Sequence, residues 1–254
     1  MGVPDKMFVT ADCVTFCYEP EMGLAVLLVE RGGEPFKGRW ALPGGFVDLD
    51  EDLEVAARRE LKEETGIEAD YVEQFGAFGK PGRDPRGRNV TIAHLAIVGH
   101  GRTPVSGGDD AADARWFPVT DVPELAFDHH EIAEQGLCGL GSLLTCTCLA
   151  YLLLPEVFTM DDLGDLLQQA TGGYWDEDDV LEFLMAGNPE MVEPGPTPEQ
   201  SSFRCTVDDY ESALPSPEEI LESMEETARA LGFESLDQVS EMMDEMDDYD
   251  FDEF

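Results

Sequence analysis

Lysine and arginine are scarce in this chain: 15 of them stand against 56 aspartates and glutamates in 254 residues, a formal net charge of -41. None occurs between Arg115 and Arg204. Proteins that grip nucleic acid neutralise its phosphates with a basic face, so a chain this acidic is expected to repel DNA, RNA and anionic membrane surfaces. Long hydrophobic runs are missing too. The longest apolar stretch, about 146–154, is too short and too interrupted to span a bilayer. The opening residues MGVPDKMFVT carry no apolar run behind a basic start, so no secretory leader is read there and a cytoplasmic location is expected. The cysteines, at 13, 17, 138, 146, 148 and 205, include no CxxC pair and no accompanying histidine cluster. The usual zinc and dithiol spacings are thereby excluded, and reduced, buried thiols are expected.

What the chain does have is a core. Hydrophobic residues make up 43% of it, enough for a packed interior, and the length suits one large domain or a domain with a smaller companion. Charge is uneven: beyond residue 115 only Arg204 and Arg229 are basic, which makes the second half a solvated acidic one. Residues 8–18 and 23–31 read as strands rich in Val, Leu and Phe, with further strands expected at 71–79, 89–98 and 114–119. Over 52–65 the pattern is helical. Leu53, Ala57 and Leu61 share a stripe, Asp50 or Asp52 can cap the start, and Gly66 suits a left-handed stop. Strands alternating with a helix imply a mixed α+β domain. After Pro123 the pattern turns helical, with candidates at 132–144, 160–170 and 177–185. The Pro-, Gly- and Ser-rich stretch 191–202 reads as a linker, and acidic helices are expected at 217–231 and 236–246.

The chemistry is concentrated in GFVDLDEDLEVAARRELKEETGI, residues 45–67. Glu60, Glu63 and Glu64 are spaced i, i+3, i+4, so on a helix their carboxylates project from one face within a single turn. Three crowded carboxylates repel one another, a cost that a cation offsets. Hard oxygen donors without His or Cys select Mg2+, with Mn2+ as a substitute. Mg2+ keeps part of its water and bridges to substrate phosphates, so the pattern points to phosphate chemistry. Arg59 and Glu51 are candidate salt-bridge partners, bracing the loop that enters the helix and orienting the metal-binding face. Gly44 and Gly45 let the backbone approach closely, and a carbonyl at Gly44 is a candidate metal ligand. For the glutamates taken alone an exposed acidic helix is the plainer reading; the glycines, Glu51 and Arg59 at fixed spacing argue against it.

Gly45, Glu51, Arg59, Glu60, Leu61, Glu63, Glu64, Gly66 and Ile67 fit every specified position of G-x5-E-x7-R-E-U-x-E-E-x-G-U, with U aliphatic. The segment therefore resembles the Nudix box of the Nudix hydrolases. The resemblance implies an α/β/α sandwich and Mg2+-dependent hydrolysis of a nucleoside diphosphate linked to another group. Carried over by position, Glu60, Glu63 and Glu64 would be metal ligands, and Glu63, Arg59 and Glu51 catalytic. The general base would be one of these glutamates or a carboxylate elsewhere. PFKGRWALPGGFVD (35–48), GKPGRDPRGRNVTIAHLA (79–96) and ARWFPVTDVPELAFDHHEI (114–132) resemble the ADP-ribose pyrophosphatase and NAD-metabolism regulator branch, over residues 8 to about 140. Arg83, Arg86 and Arg88 form a basic turn in an acidic protein, and with Arg39 they are expected to hold the substrate's phosphates. Arginines paired with surface acids are the alternative. His129 and His130 read as structural, and Trp40 and Trp116 as core or pocket wall.

YLLLPEVFTMDDLGDLLQQATG (151–172) resembles the start of the winged-helix domain of the regulator members, which bind DNA and sense ADP-ribose through a Nudix domain. Here the chain departs from the pattern. Where recognition needs Arg or Lys it offers GGYWDEDDVLEFLMAGNPEMVEPG. The expected organisation is a Nudix domain at 1–140 and a degenerate winged-helix-like helical region at 141–194, packed on that domain or serving a homodimer. A linker and an acidic, partly helical tail at 195–254 follow. The implied function is cleavage of the pyrophosphate of ADP-ribose, or a related nucleoside diphosphate derivative, to AMP and a sugar phosphate. The alternative is a non-catalytic nucleotide sensor acting through a protein partner.

Overall fold

Strand β1 (Phe8–Glu19) is buried on both faces from Thr10 to Tyr18, which is why its sequence is a nearly continuous apolar run instead of an alternating one. A computed structural model describes it together with residues 7–101, 111–186, 192–194 and 202–205. Along one edge β1 runs parallel to β6 (Asn89–Ile97) from Phe8 to Phe16. Along the other it pairs antiparallel, first with β4 (Gly44–Phe46) and then with β2 (Gly23–Arg31). β5 (Tyr71–Phe78) adds beyond β6, with a bulge between Gln74 and Gly76. β2 also carries β7 (Ala111–Pro118) and the two-residue β3 (Trp40–Ala41), completing a mixed seven-stranded sheet.

Helix α1 (Leu53–Thr65) begins at Asp52, whose carboxylate accepts the Leu53 N–H, and stops at Gly66 (φ 75°), whose N–H donates to the Lys62 carbonyl. Its buried Ala56, Ala57 and Leu61 pack on Ala11, Cys13, Cys17 and Leu27 of the sheet. The other face carries α2 (His129–Cys146) and α4 (Met160–Thr171). Gly136 of α2 lies directly on Val14, where a Cβ would come within 2.9 Å of the valine side chain. α4 is fastened to the sheet by Gln169, which accepts the Leu24 N–H at 3.0 Å, and by Asp165, which accepts from the Tyr18 hydroxyl at 3.3 Å. Helices on both faces of one sheet make the α/β/α sandwich anticipated above.

Beyond α2 come α3 (Leu149–Leu153), β8 (Val157–Thr159), α4 itself, α5 (Glu177–Ala186), β9 (Val192–Pro194) and β10 (Ser202–Cys205). β10 lies between β8 and β9 in an antiparallel three-stranded sheet. Within the stretch 191–202 expected as a linker, 192–194 and Ser202 are strand residues, while 191 and 195–201 lie outside the described residues. Pro194 is tolerated because β9 is an edge strand, and composition could not register that β10's other partner lies far upstream in β8. The order helix, strand, two helices, two strands is winged-helix-like. α2 and β7 begin at His129 and Ala111, ahead of the expected 132 and 114. The helices expected at 217–231 and 236–246, and the acidic tail, lie outside the described residues. No helix among the described residues is long and apolar enough to cross a membrane.

Candidate active site

A cavity of about 640 Å3 is walled by β1, the end of β2, β4, α1, the 83–91 segment and the start of α2. From α1 it receives Glu60 and Glu64, but not Glu63. Glu60 and Glu64 stand one turn apart, whereas Glu63 is rotated roughly 60° to the far side of Glu60, and its side chain is 62% exposed.

Arg59 organises this face. Its guanidinium holds Glu51 by two bonds (Nη2 to Oε1 2.6 Å, Nε to Oε2 2.9 Å) while Nη1 donates to Glu60 at 2.8 Å and Glu63 at 3.2 Å. Nη2 also reaches the Phe46 carbonyl at 3.2 Å, tying the helix to β4. The Arg59 contact, aided by the Asp48 N–H, holds Glu51 down to about 2, and Glu51 and Glu60 push Arg59 up. Burial raises Glu60 despite Arg59 beside it. Burial, with the like charges of Glu60 and Asp12, raises Glu64 to about 7, although its Oε2 accepts the Gly44 N–H at 3.0 Å.

Gly44 (φ 155°) and Gly45 make this packing achievable. A Cβ on Gly45 would sit 2.4 Å from the Glu60 carboxylate. Among the described residues no three Asp, Glu, His or Cys side chains are gathered as a ready cation cage; Arg59 engages Glu60 and Glu63 instead. The donor chemistry nevertheless fits a hard divalent cation. The helix offers carboxylate oxygens alone, pressed against a glycine backbone that leaves no side chain in the way.

The basic residues divide. Arg83 lines the cavity as a strut: Asp128 clamps its Nε and Nη2 at 2.7 and 2.6 Å, and Nη1 donates to Thr91 at 2.6 Å. Arg86 lines it too, held by Asp84 at 2.7 Å with its guanidinium 5.5 Å from both the Phe46 and Phe127 rings. Arg88 lies outside the cavity wall, donating to the carbonyls of Gly79 and Asn89. Arg39 is likewise outside, paired with Glu124 at 2.7 Å. Sequence reasoning missed Arg31, which ends β2 and lies 4.8 Å over the Phe127 ring, its pKa lowered by burial and then by Arg86. It also missed Asp12, whose signal was a lone carboxylate amid the apolar residues of β1. His129 lines the cavity and accepts the Leu42 N–H on Nδ1 at 3.0 Å, while His130 is exposed beside Glu134. Trp40 stacks edge-on against Phe117, and Trp116 packs on the core.

Carboxylates on one wall and guanidiniums on another suit a polyphosphate bridged to cations. The sequence profile of the NUDIX domain matches residues 7–136, from the start of β1 into α2. The chain belongs to the NUDIX family. Of its relatives, the ADPR responsive transcriptional repressor NtrR of Acinetobacter baylyi is 35% identical over 153 residues, 59% of this chain and 61% of that protein. The ADP-ribose pyrophosphatase of Methanocaldococcus jannaschii is 44% identical over 110 residues, 43% of this chain and 64% of that protein. The matches thus span less than two thirds of these curated relatives. The crystal structure of Shewanella oneidensis NrtR superposes with a TM-score of 0.66 at 29% identity, covering 82% of this NUDIX protein and 97% of that chain. That likeness runs past the NUDIX domain into the C-terminal helices.

Proposed function

We propose that this NUDIX protein is a Mg2+-dependent pyrophosphohydrolase that cleaves ADP-ribose, or a related nucleoside diphosphate derivative, to AMP and a sugar phosphate. The observation that carries the reading is one cavity receiving Glu60 and Glu64 from α1 and Arg31, Arg83 and Arg86 from other walls. Likeness to the M. jannaschii pyrophosphatase supports the substrate. Glu60, Glu64 and the Gly44 backbone, with Glu63 at the rim, would hold the cation. When bound, Mg2+, or Mn2+ in its place, supplies neutralising charge for the diphosphate and a lowered pKa for water.

The chain's own residues do the rest. Glu51 fixes Arg59, and Arg59 in turn holds the carboxylates of Glu60 and Glu63 on their face of α1. Arg86 and Arg31 offer guanidinium donors for phosphoryl oxygens from beside the Phe127 ring. A carboxylate of the α1 wall accepts the water proton. A cytoplasmic location and a homodimer belong to the same reading. The test is a panel of nucleoside diphosphate derivatives with Mg2+, read by product identity. AMP and ribose 5-phosphate are expected from ADP-ribose, with Glu64→Gln slower by roughly 10²-fold or more; a wild-type protein inert across the panel overturns the reading.

Likeness to the repressor NtrR favours a second reading, a nucleotide sensor acting through a protein partner. The exposed acids of α5, Glu177, Asp178, Asp179 and Glu182, argue against DNA as that partner. Tight ADP-ribose binding without turnover would favour the sensor.

A further inference from the structure

We propose that Asp12 and His129 form a hydroxyl-reading niche that binds the sugar on the far side of the diphosphate and sets the preference for a glycosyl leaving group. The inference rests on the pyrophosphohydrolase reading for the nature of the ligand, and on the following geometry for the site.

Asp12 projects from the middle of β1 with a side chain only 7% exposed. Its carboxylate accepts no hydrogen bond among the described residues. A buried carboxylate without donors is costly, so the cavity it faces must supply them from a ligand or solvent. Across from it stands His129, 6% exposed. Because Nδ1 accepts the Leu42 N–H at 3.0 Å, the ring's hydrogen is on Nε2. That nitrogen lies 3.9 Å from Asp12 Oδ2, beyond hydrogen-bond distance, and both residues line the cavity. The same wall is short of donors at a second place, since Asn89 Oδ1 is buried without a partner.

The chemistry of the niche selects its occupant. A cation would gain from Asp12 but would meet an N–H hydrogen at His129, not a lone pair. A phosphoryl oxygen would gain from His129 and be repelled by Asp12. A hydroxyl is both donor and acceptor. A vicinal diol presents two O–H groups to the two carboxylate oxygens and one oxygen to Nε2–H, satisfying every group. Carboxylate recognition of ribose hydroxyls is a recurrent solution in nucleotide-binding proteins. The position is right as well: the Asp12 carboxylate lies against Gly44, whose N–H is bonded to Glu64 of the carboxylate wall. A sugar there would adjoin a diphosphate held at that wall.

The probes are ADP-ribose and ADP esterified to a five-carbon alkyl chain, which has the diphosphate but no distal hydroxyls. Binding is measured by calorimetry without Mg2+, and hydrolysis with it. Wild-type protein is expected to bind ADP-ribose at least about tenfold more tightly than the alkyl ester. In Asp12→Asn the gap should close to about threefold or less, expressed mainly in KM. The His129 Nε2–H proton resonance should shift with ADP-ribose and not with the ester, a readout on wild-type protein that does not depend on any variant folding. Equal wild-type affinities for the two probes, an unmoved Nε2–H resonance, or a gap that survives Asp12→Asn overturns the niche. A gap that depends on Asp12 only when Mg2+ is present also overturns it and makes Asp12 a metal ligand. A wide binding gap without hydrolysis leaves the niche standing and removes the pyrophosphohydrolase; rapid hydrolysis of both probes with no gap does the reverse.

Discussion

Arg83 and Asp128 meet through two parallel hydrogen bonds, Nε to Oδ2 at 2.7 Å and Nη2 to Oδ1 at 2.6 Å, on an arginine whose side chain is only 4% exposed. The pair joins the 83–88 turn to the residue that precedes α2, so two walls of the cavity share one fastening. Removing the acid strands a buried guanidinium. Asp128→Ala should therefore cost about 3–5 kcal/mol in chemical denaturation, and a loss below about 1 kcal/mol would mean that Arg83 swings out to water.

Arg59 is the hub of the carboxylate face, and it uses the planar fork of a guanidinium to hold Glu51 at two points. Lysine cannot reproduce that geometry. Arg59→Lys should lower kcat about 10- to 100-fold with little change in melting temperature, because the side chain is partly solvated. Wild-type turnover in Arg59→Lys would show that charge alone suffices.

Gly45 touches the Glu60 carboxylate so closely that any Cβ must displace it. Gly45→Ala is expected to raise the Mg2+ concentration for half-maximal activity about tenfold or more while circular dichroism stays native. An unchanged Mg2+ requirement would take Glu60 out of the cation site.

Helix α4 opens with a reciprocal cap, in which the Thr159 hydroxyl accepts the Asp162 N–H and the Asp162 carboxylate accepts the Thr159 N–H at 2.8 Å. Thr159→Ala should destabilise the fold by about 1 kcal/mol in urea, and Thr159→Ser should restore most of it.

From residue 116 to 203 the chain has no Lys or Arg, so the winged-helix-like part has little with which to neutralise phosphates. Gel shifts in low salt, where electrostatic binding is strongest, should show no complex with duplex DNA. A complex whose affinity falls steeply with salt would reverse that conclusion.

Local order was legible from the chain alone wherever its cause is local. The Asp52 cap, the stripe through Ala57 and Leu61, and the Gly66 stop lie within α1's own neighbourhood, and the apolar runs of β1 and β2 announce strands buried on both faces. The box spacing likewise placed Glu60, Glu63 and Glu64 within one turn, because helical periodicity is a short-range property, and it paired Arg59 with Glu51 of the loop that enters α1. Which side chains share the cavity was decided only by the folded chain. Arg31 enters it because β2 ends at its rim, while Arg88 and Arg39, equally basic in sequence, turn to backbone carbonyls and to Glu124. Glu63 points outward by the rotation of a single helical step. Asp12 and His129 come within 3.9 Å because the N-terminus of α2 abuts β1, and β10 reaches β8 across the intervening α4 and α5. Propensities and caps act between near neighbours; convergence depends on strand register and on helices seated across a sheet, which no stretch of the sequence contains by itself.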